Sequence, residues 1–205
     1  AALLHFSPGE CMNLTEIAMR LLDLASKGTE RDSLEIDLTT LRGMAAFHLL
    51  GVGSEARDAF QRAYLLLSGI PQHPRSGLLL QNFGLVLGLR AEYAEALALA
   101  ERAQALAPET NDAVLQLAAC SVQAQVLLLQ GRPQAARTAI ESVLPALESI
   151  DVGPEHSFAQ VTLLGLLGVH LLHLGLVQQA RARMQQAYAR ADQLEQPIGK
   201  MVAIW

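Results

Sequence analysis

Apolar residues recur along this chain at helical spacing almost throughout, and the breaks between them are themselves periodic. A short pattern of alanine, an apolar residue four places on and a small or apolar residue three further on recurs. It stands at Ala56/Phe60/Ala63, Ala96/Ala100/Ala103, Ala136/Ile140/Val143 and Ala180/Met184/Ala187. The leading alanines at 56, 96, 136 and 180 are 40, 40 and 44 residues apart, and a fainter copy, Ala18/Leu22/Ala25, lies 38 residues before the first. Breaks at Gly51, Gly131 and Gly175 precede three of the copies. Self-similarity at this period means supersecondary units stacked in series, each burying its apolar face against the next, rather than one closed globule.

The pattern predicts paired helices. The first opens at Asn13 or Thr15 and runs to about Ser26, with Lys27-Gly28 as its stop, and a second spans about Glu30 to Leu50. Ser54 caps a third through Leu67, and Ser68 to Pro74 reads as a loop with two prolines. Helices follow over Ser76 to about Leu89 and Ala91 to Ala107, the latter stopped by Pro108. Two more cover about Asp112 to Gln130 and Pro133 to Glu148. Pro133 sits in a first turn, where its missing N–H costs nothing, whereas Pro145 should end its helix early or bend it. Asp151 to Pro154 is a loop, the last pair covers about Glu155 to Leu174 and Val177 to Leu194, and Ile198 to Trp205 starts another helix. The expected units are about 1–28, 29–70, 71–110, 111–151 and 152–197 in a single repeat domain, with a further helix starting at 198–205. The apolar end Met201 to Trp205 lacks the polar cap a solenoid needs. It is expected either to continue into a longer protein or to pair with another copy.

Composition settles the class. Hydrophobic residues are 51% of the 205 and aromatic ones only 4%, with leucine and alanine supplying most of the apolar mass. These are strong helix formers, whereas a sheet protein draws on β-branched and aromatic residues. The expectation is an all-α, right-handed α-α superhelix of about four to five helix pairs. The formal net charge is −5, and only Lys27 and Lys200 are lysines, the arginines being spread singly. No basic stripe for phosphates exists, so direct nucleic-acid binding is not expected. Cys11 and Cys120 stand far apart in different units, which fits a reducing, cytoplasmic setting better than a disulfide framework. Ser157 to Ala180 carries no Asp, Glu, Lys or Arg and is long enough to span a bilayer. The turn due at Gly175 would leave backbone groups unpaired in lipid, so it reads as a buried repeat helix instead.

One unit carries a family likeness. Leu80-x2-Phe83-Gly84-x2-Leu87-x5-Tyr93-x2-Ala96-x3-Ala100-x2-Ala103-x4-Pro108 resembles the tetratricopeptide repeat, with small residues at Gly84 and Ala96 allowing close helix approach. The period exceeds that family's usual length, its consensus tryptophan is absent, and Gly43 sits one place off the small position. Such longer units look like the tetratricopeptide-like arrays of bacterial signal-transduction ATPases and of regulators related to the maltose-regulon activator. The segments Glu30 to Gly43, Ser54 to Ala63 and Arg90 to Ala100 carry this second resemblance. It implies a non-catalytic effector- or protein-binding module of a bacterial cytoplasmic regulator. The implied partner is a protein or peptide, or a small-molecule inducer.

Searching for chemistry returns little. There is no phosphate-cradling glycine loop, Cys-x2-Cys pair or nucleophile–base arrangement, so no enzyme activity and no cofactor are expected. Gly84-x3-Gly88 and Gly165-x2-Gly168 are spaced for helix packing. His170 and His173 share a helical face compatible with a metal, yet their helix offers no carboxylate after Glu155, so packed or hydrogen-bonded histidines are the expected reading. Glu92, Glu95, Glu101, Glu109 and Glu141, with Arg90, Arg102 and Arg137, read as a solvated outer face of weak ion pairs. In tetratricopeptide-like arrays the first helices line an inner groove. The resemblance then assigns a concave binding surface to Leu41, His48, Gln81, Leu85, Ser121, Gln125, Thr162, Val169 and His173, within a wall that also includes Leu38, Ala45, Leu49, Leu78, Gly88, Leu89, Ala118, Leu128, Leu129, Gly165 and Leu172. Such an apolar strip marks an interaction surface unless superhelical curvature closes the groove on itself. The second functional reading is a structural spacer or oligomerisation arm that self-associates through exposed apolar ends.

Overall fold

The computed structural model describes residues 7–110, 113–149 and 154–193, and these are helical with no strand among them. In order they form α1 (Pro8–Leu22), α2 (Thr29–Leu50), α3 (Ser54–Leu67), α4 (Ser76–Leu89), α5 (Tyr93–Thr110), α6 (Ala113–Leu129), α7 (Pro133–Ser149), α8 (Pro154–His173) and α9 (Val177–Gln193). The helix expected from Ile198, the apolar end Met201 to Trp205, and the loop residues Asp151 to Gly153 lie outside the described residues.

Packing follows one rule. Helices α2, α4, α6 and α8 meet in that order as a row of first helices, while α3, α5 and α7 each touch the first helix before and the first helix after them. Helix α9 packs on α8, and α1 packs on α2 as a second helix does on its successor. The result is an all-α repeat superhelix. Helix α6 works on both sides. Its Leu115, Ala119, Val122 and Val126 join a core with α2 to α5, and its Leu117, Cys120 and Ala124 join a second core with α7 to α9. A helix buried on two faces cannot carry a wide polar face, which is why neither α4 nor α6 contains a charged residue.

The turns carry the repeat in their backbone. Gly51, Ala91, Gly131 and Gly175 all have positive φ, at spacings of 40, 40 and 44, each just past the end of a first helix. In the last three the N–H three residues past the helix end donates to a carbonyl of the last turn: Glu92 to Leu87, Arg132 to Leu127 and Leu176 to Leu171. Together with the bonds from Ala91 to Gly88, Gly131 to Leu128 and Gly175 to Leu172, this closes a Schellman cap. Ala91 is the alanine in this set, at φ 61°.

Several boundaries differ from the sequence expectation. Helix α1 begins at Pro8 rather than Asn13 or Thr15, because proline is pre-organised for a first turn and Thr15 turns its hydroxyl onto the Cys11 carbonyl within the helix, at 2.8 Å. Helix α5 starts at Tyr93, since Ala91 is spent on the left-handed cap of α4, and it continues past Pro108 to Thr110. Helix α7 runs through Pro145 to Ser149 rather than ending early.

Close approach explains the small residues. An added Cβ at Gly84 would overlap the Val122 side chain, so α4 and α6 meet at van der Waals contact only because that carbon is missing. Gly43, one place out of register, meets a different neighbour: its Cβ would lie 2.8 Å from the Phe60 ring on α3. Phe60 stacks on Phe83 with centroids 6.1 Å apart, Tyr64 tilts against Phe83 at 5.9 Å, and Arg102 lies 4.8 Å over the Tyr64 ring. Arg102 thus joins an aromatic run across α3, α4 and α5 rather than the ion-paired outer face the sequence implied.

Candidate functional site

The nine residues expected on the concave wall do not share one exposed surface. Leu41, His48, Leu85, Thr162 and Val169 are half-buried and His173 is exposed, with its ring Nδ1 donating to the Val169 carbonyl at 2.8 Å. Gln81, Ser121 and Gln125 are buried. These three were among the polar handles expected in the groove, with Thr162, His48 and His173, and they are enclosed because α4 and α6 pack directly on each other. The Gln125 side chain passes 3.9 Å from where a Cβ on Gly88 would stand. Burial also lowers the His48 pKa below the usual histidine value.

What remains open on this side is a row of leucines. Leu49, Leu89 and Leu129 are 54%, 44% and 41% exposed, and each is the second residue before the positive-φ turn of its unit. In the fourth unit that position is His173, and Leu172 beside it is 48% exposed. The Schellman caps use the carbonyls of Leu87, Leu127 and Leu171, so capping does not call for leucine at the exposed positions. Scattered single leucines on a surface are ordinary, but the same residue type exposed at one register of successive units forms a stripe. The signal was legible in the turn spacing, although sequence alone could not separate these leucines from their buried neighbours.

His170 differs from its counterparts. Counting back from the turn, it occupies the position of Ala46, Val86 and Val126, all fully buried. Its imidazole is buried too, and neither ring nitrogen has a hydrogen-bond partner. Burial, with a smaller contribution from nearby His173, pushes its pKa down to about 4. Among the described residues no group of three or more His, Cys, Asp or Glu is placed to hold a metal. Burial likewise pushes the Cys120 thiol up to about 12, and the thiol donates to the Ala139 carbonyl at 3.3 Å.

Two further surface features stand at the amino-terminal end. A cleft of about 410 Å3 lies between α1 and α3 over α2, lined by Glu16, Asp23, Arg42, Glu55, Asp58 and Arg62 among others. Much of its charge is spoken for: Arg20 pairs with Glu16 at 2.5 Å, and Arg62 reaches buried Glu35 at 2.5 Å, where Arg31 also binds at 2.6 Å. Seven of its ten lining residues are charged, whereas pockets for small organic ligands carry only a few polar groups. On α1 and the turn after it, Leu14, Ile17, Leu21 and Leu24 are each more than half exposed, at spacings of three, four and three.

Residues 37–109 match the tetratricopeptide repeat family. The matched span runs from within α2 to the last turn of α5, taking in the Phe60–Phe83 stack and the Gly84 position. That span therefore carries tetratricopeptide-like repeats, and repeats of this kind generally serve as protein-interaction modules. No curated protein matches the chain. No helix among the described residues is long and apolar enough to cross a membrane.

Proposed function

We propose that this chain is a protein-binding repeat module of a cytoplasmic bacterial regulator, without catalytic activity of its own. The observation that carries the reading is the row of Leu49, Leu89 and Leu129, exposed at one register of consecutive first helices, with Leu172 exposed one position off that register in the fourth. An apolar stripe that costs solubility and contributes nothing to the internal core is retained for contact with something else. The regulator setting is supported by the likeness of Glu30 to Gly43, Ser54 to Ala63 and Arg90 to Ala100 to regulator arrays. In that setting the partner is a protein or peptide, and a small-molecule inducer is a further occupant to test. Placing a photo-crosslinking residue at Leu89 or Leu129, and in parallel at off-row Leu65, tests the reading in cells of a bacterial host. Adducts specific to the row positions support it; equal labelling from Leu65 removes the row from consideration.

A second reading, an oligomerisation arm, is favoured by the α1 stripe. Leu14, Ile17, Leu21 and Leu24 follow the three-four spacing of a coiled-coil seam. Sedimentation of the protein and of Ile17→Glu/Leu21→Glu separates the two readings, because only self-association through α1 is abolished by that pair.

A further inference from the structure

The charged cleft between α1 and α3 opens where its unit departs from the register of the next one. Counting from the turns at Gly51 and Ala91, Thr39 stands where the next unit has Leu79, and Ala59 where it has Leu99. Both leucines are buried in the core, at 0% and 3% exposure. A threonine and an alanine in their place leave a cavity of about 410 Å3, with Met19 and Ala59 as its apolar contacts. Packed interiors relax only partly around missing side chains, so the space stays open.

The charges lining this space fall into two groups. Arg20 pairs with Glu16, Arg62 with buried Glu35, and Asp23 lies 3.6 Å from Arg31. Arg42, half-buried on α2, makes no hydrogen bond or ion pair among the described residues. Nor does Asp58 on α3, and Glu55, one turn before it on the same face, reaches only the Ser54 hydroxyl, at 3.2 Å. One guanidinium and two carboxylates thus face a single cavity unmatched. A partly desolvated charge without a partner is costly. Asn82, the counterpart of Arg42, avoids that cost by donating to the Leu78 carbonyl within its own helix at 2.8 Å. An apolar guest cannot satisfy such a lining, and a simple anion or a simple cation matches only part of it. The full complement is one carboxylate, which a guanidinium holds in a planar fork, together with two cationic groups. We propose that this cleft binds a free basic amino acid, its carboxylate on Arg42 and its α-ammonium and side-chain cation on Asp58 and Glu55. The methylene chain then lies against Met19 and Ala59. The cleft shares no residue with the leucine row, so this site goes beyond the interaction-module reading and does not depend on it.

Calorimetric titration of the 205-residue chain with L-arginine and L-lysine tests the proposal, beside agmatine, which lacks the carboxylate, and L-glutamate, which lacks the side-chain cation. Saturable binding of a basic amino acid is expected, at least about tenfold tighter than that of agmatine or glutamate. Arg42→Gln and Asp58→Asn should each weaken it about tenfold or more, whereas Arg137→Gln, on α7 away from the cleft, should leave it unchanged. Because neither Arg42 nor Asp58 has a partner in the chain, both variants should melt close to the parent, which a structural role would not allow. Thr39→Leu/Ala59→Leu, which installs the residues of the next unit, should abolish binding, and Ala59→Leu alone takes its place if the pair fails to fold. The proposal is overturned by the absence of saturable binding of either amino acid up to about 10 mM, by equal binding of agmatine or glutamate, or by unchanged binding in Arg42→Gln. Failure of the crosslinks at Leu89 and Leu129 would bear on the interaction-module reading alone.

Discussion

On the amino-terminal side of α6, neighbouring helices are tied together by charge as well as by core. Arg57 of α3 reaches Glu92 in the turn of the next hairpin at 3.0 Å and Glu95 on α5 at 3.4 Å, Arg75 in the α3–α4 loop pairs with Asp37 of α2, and Arg90 donates to the Val52 carbonyl at 2.7 Å. Buried His73 fixes the same loop to α2 through Ser33 at 3.0 Å. On the carboxy-terminal side, α8 and α9 meet through apolar packing. Gly168 makes room for Met184, and the buried imidazole of His170 finds no partner. One stacking rule is thus held by different means. Exposed ion pairs contribute little each, typically under about 1 kcal/mol, but they fix which surfaces face each other. Apolar contact stabilises more per residue and makes any polar intruder costly.

The largest test of this contrast is to jam the apolar joint at its centre. Gly84→Val places a branched side chain where Val122 already sits and is expected to cost about 3 kcal/mol or more, read as a fall in the urea midpoint. Removing the buried carboxylate on the other side should cost somewhat less. Glu35→Ala releases Arg31 and Arg62, and because Arg62 is half in water and can resolvate, about 2 kcal/mol is expected by the same measurement.

His170 tests the carboxy-terminal joint in the opposite direction. Its folded pKa of about 4 lies below the ordinary value of 6.5, so the folded state binds fewer protons than the unfolded one. Stability should be greatest above about pH 6.5 and decline as the pH falls towards about 4, by up to roughly 3 kcal/mol. His170→Val, which installs the residue found at positions 86 and 126, should remove that acid-dependent loss and add about 1–2 kcal/mol at neutral pH. Thermal melts of both proteins across the interval decide it, and an unchanged acid slope in the variant would place the titrating group elsewhere.

Smaller effects separate the turns and the ion pairs. Ala91→Gly gives the α4 cap the residue its counterparts already have and should gain about 0.5–1 kcal/mol, whereas Gly131→Ala should lose a similar amount. Arg57→Ala should cost about 0.5 kcal/mol at low salt and still less in high salt, visible in a denaturation series at two ionic strengths.

Much of the architecture could be read from the linear pattern. The alanine spacing and the glycine breaks reflect a local requirement, since each hairpin must turn left-handed once and bury one small-residue face. Helices α3 and α4 therefore fall where the pattern puts them. Boundaries were missed where a residue had a second use. Ala91 looked like a helix start because nothing local marks an alanine as a left-handed cap, and Thr15 looked like a cap because its hydroxyl bond inside the helix is invisible in sequence. The binding wall was the least legible part. Gln81, Ser121 and Gln125 sit at inward spacing and read as groove lining, yet contact between α4 and α6 encloses them.

The sequence by itself determined that this protein is a series of helical hairpins, because periodicity, turn chemistry and small residues act over a few positions and need no distant partner. Only the tertiary structure decided which side of each first helix meets water. That depends on how closely α4, α6 and α8 approach one another, a distance set by pairs such as Gly84 and Val122 that lie in different units. The leucines at the ends of those helices and the imidazole of His170 are alike apolar-register positions in the chain. Stacking leaves the leucines in solvent and closes the histidine off from it.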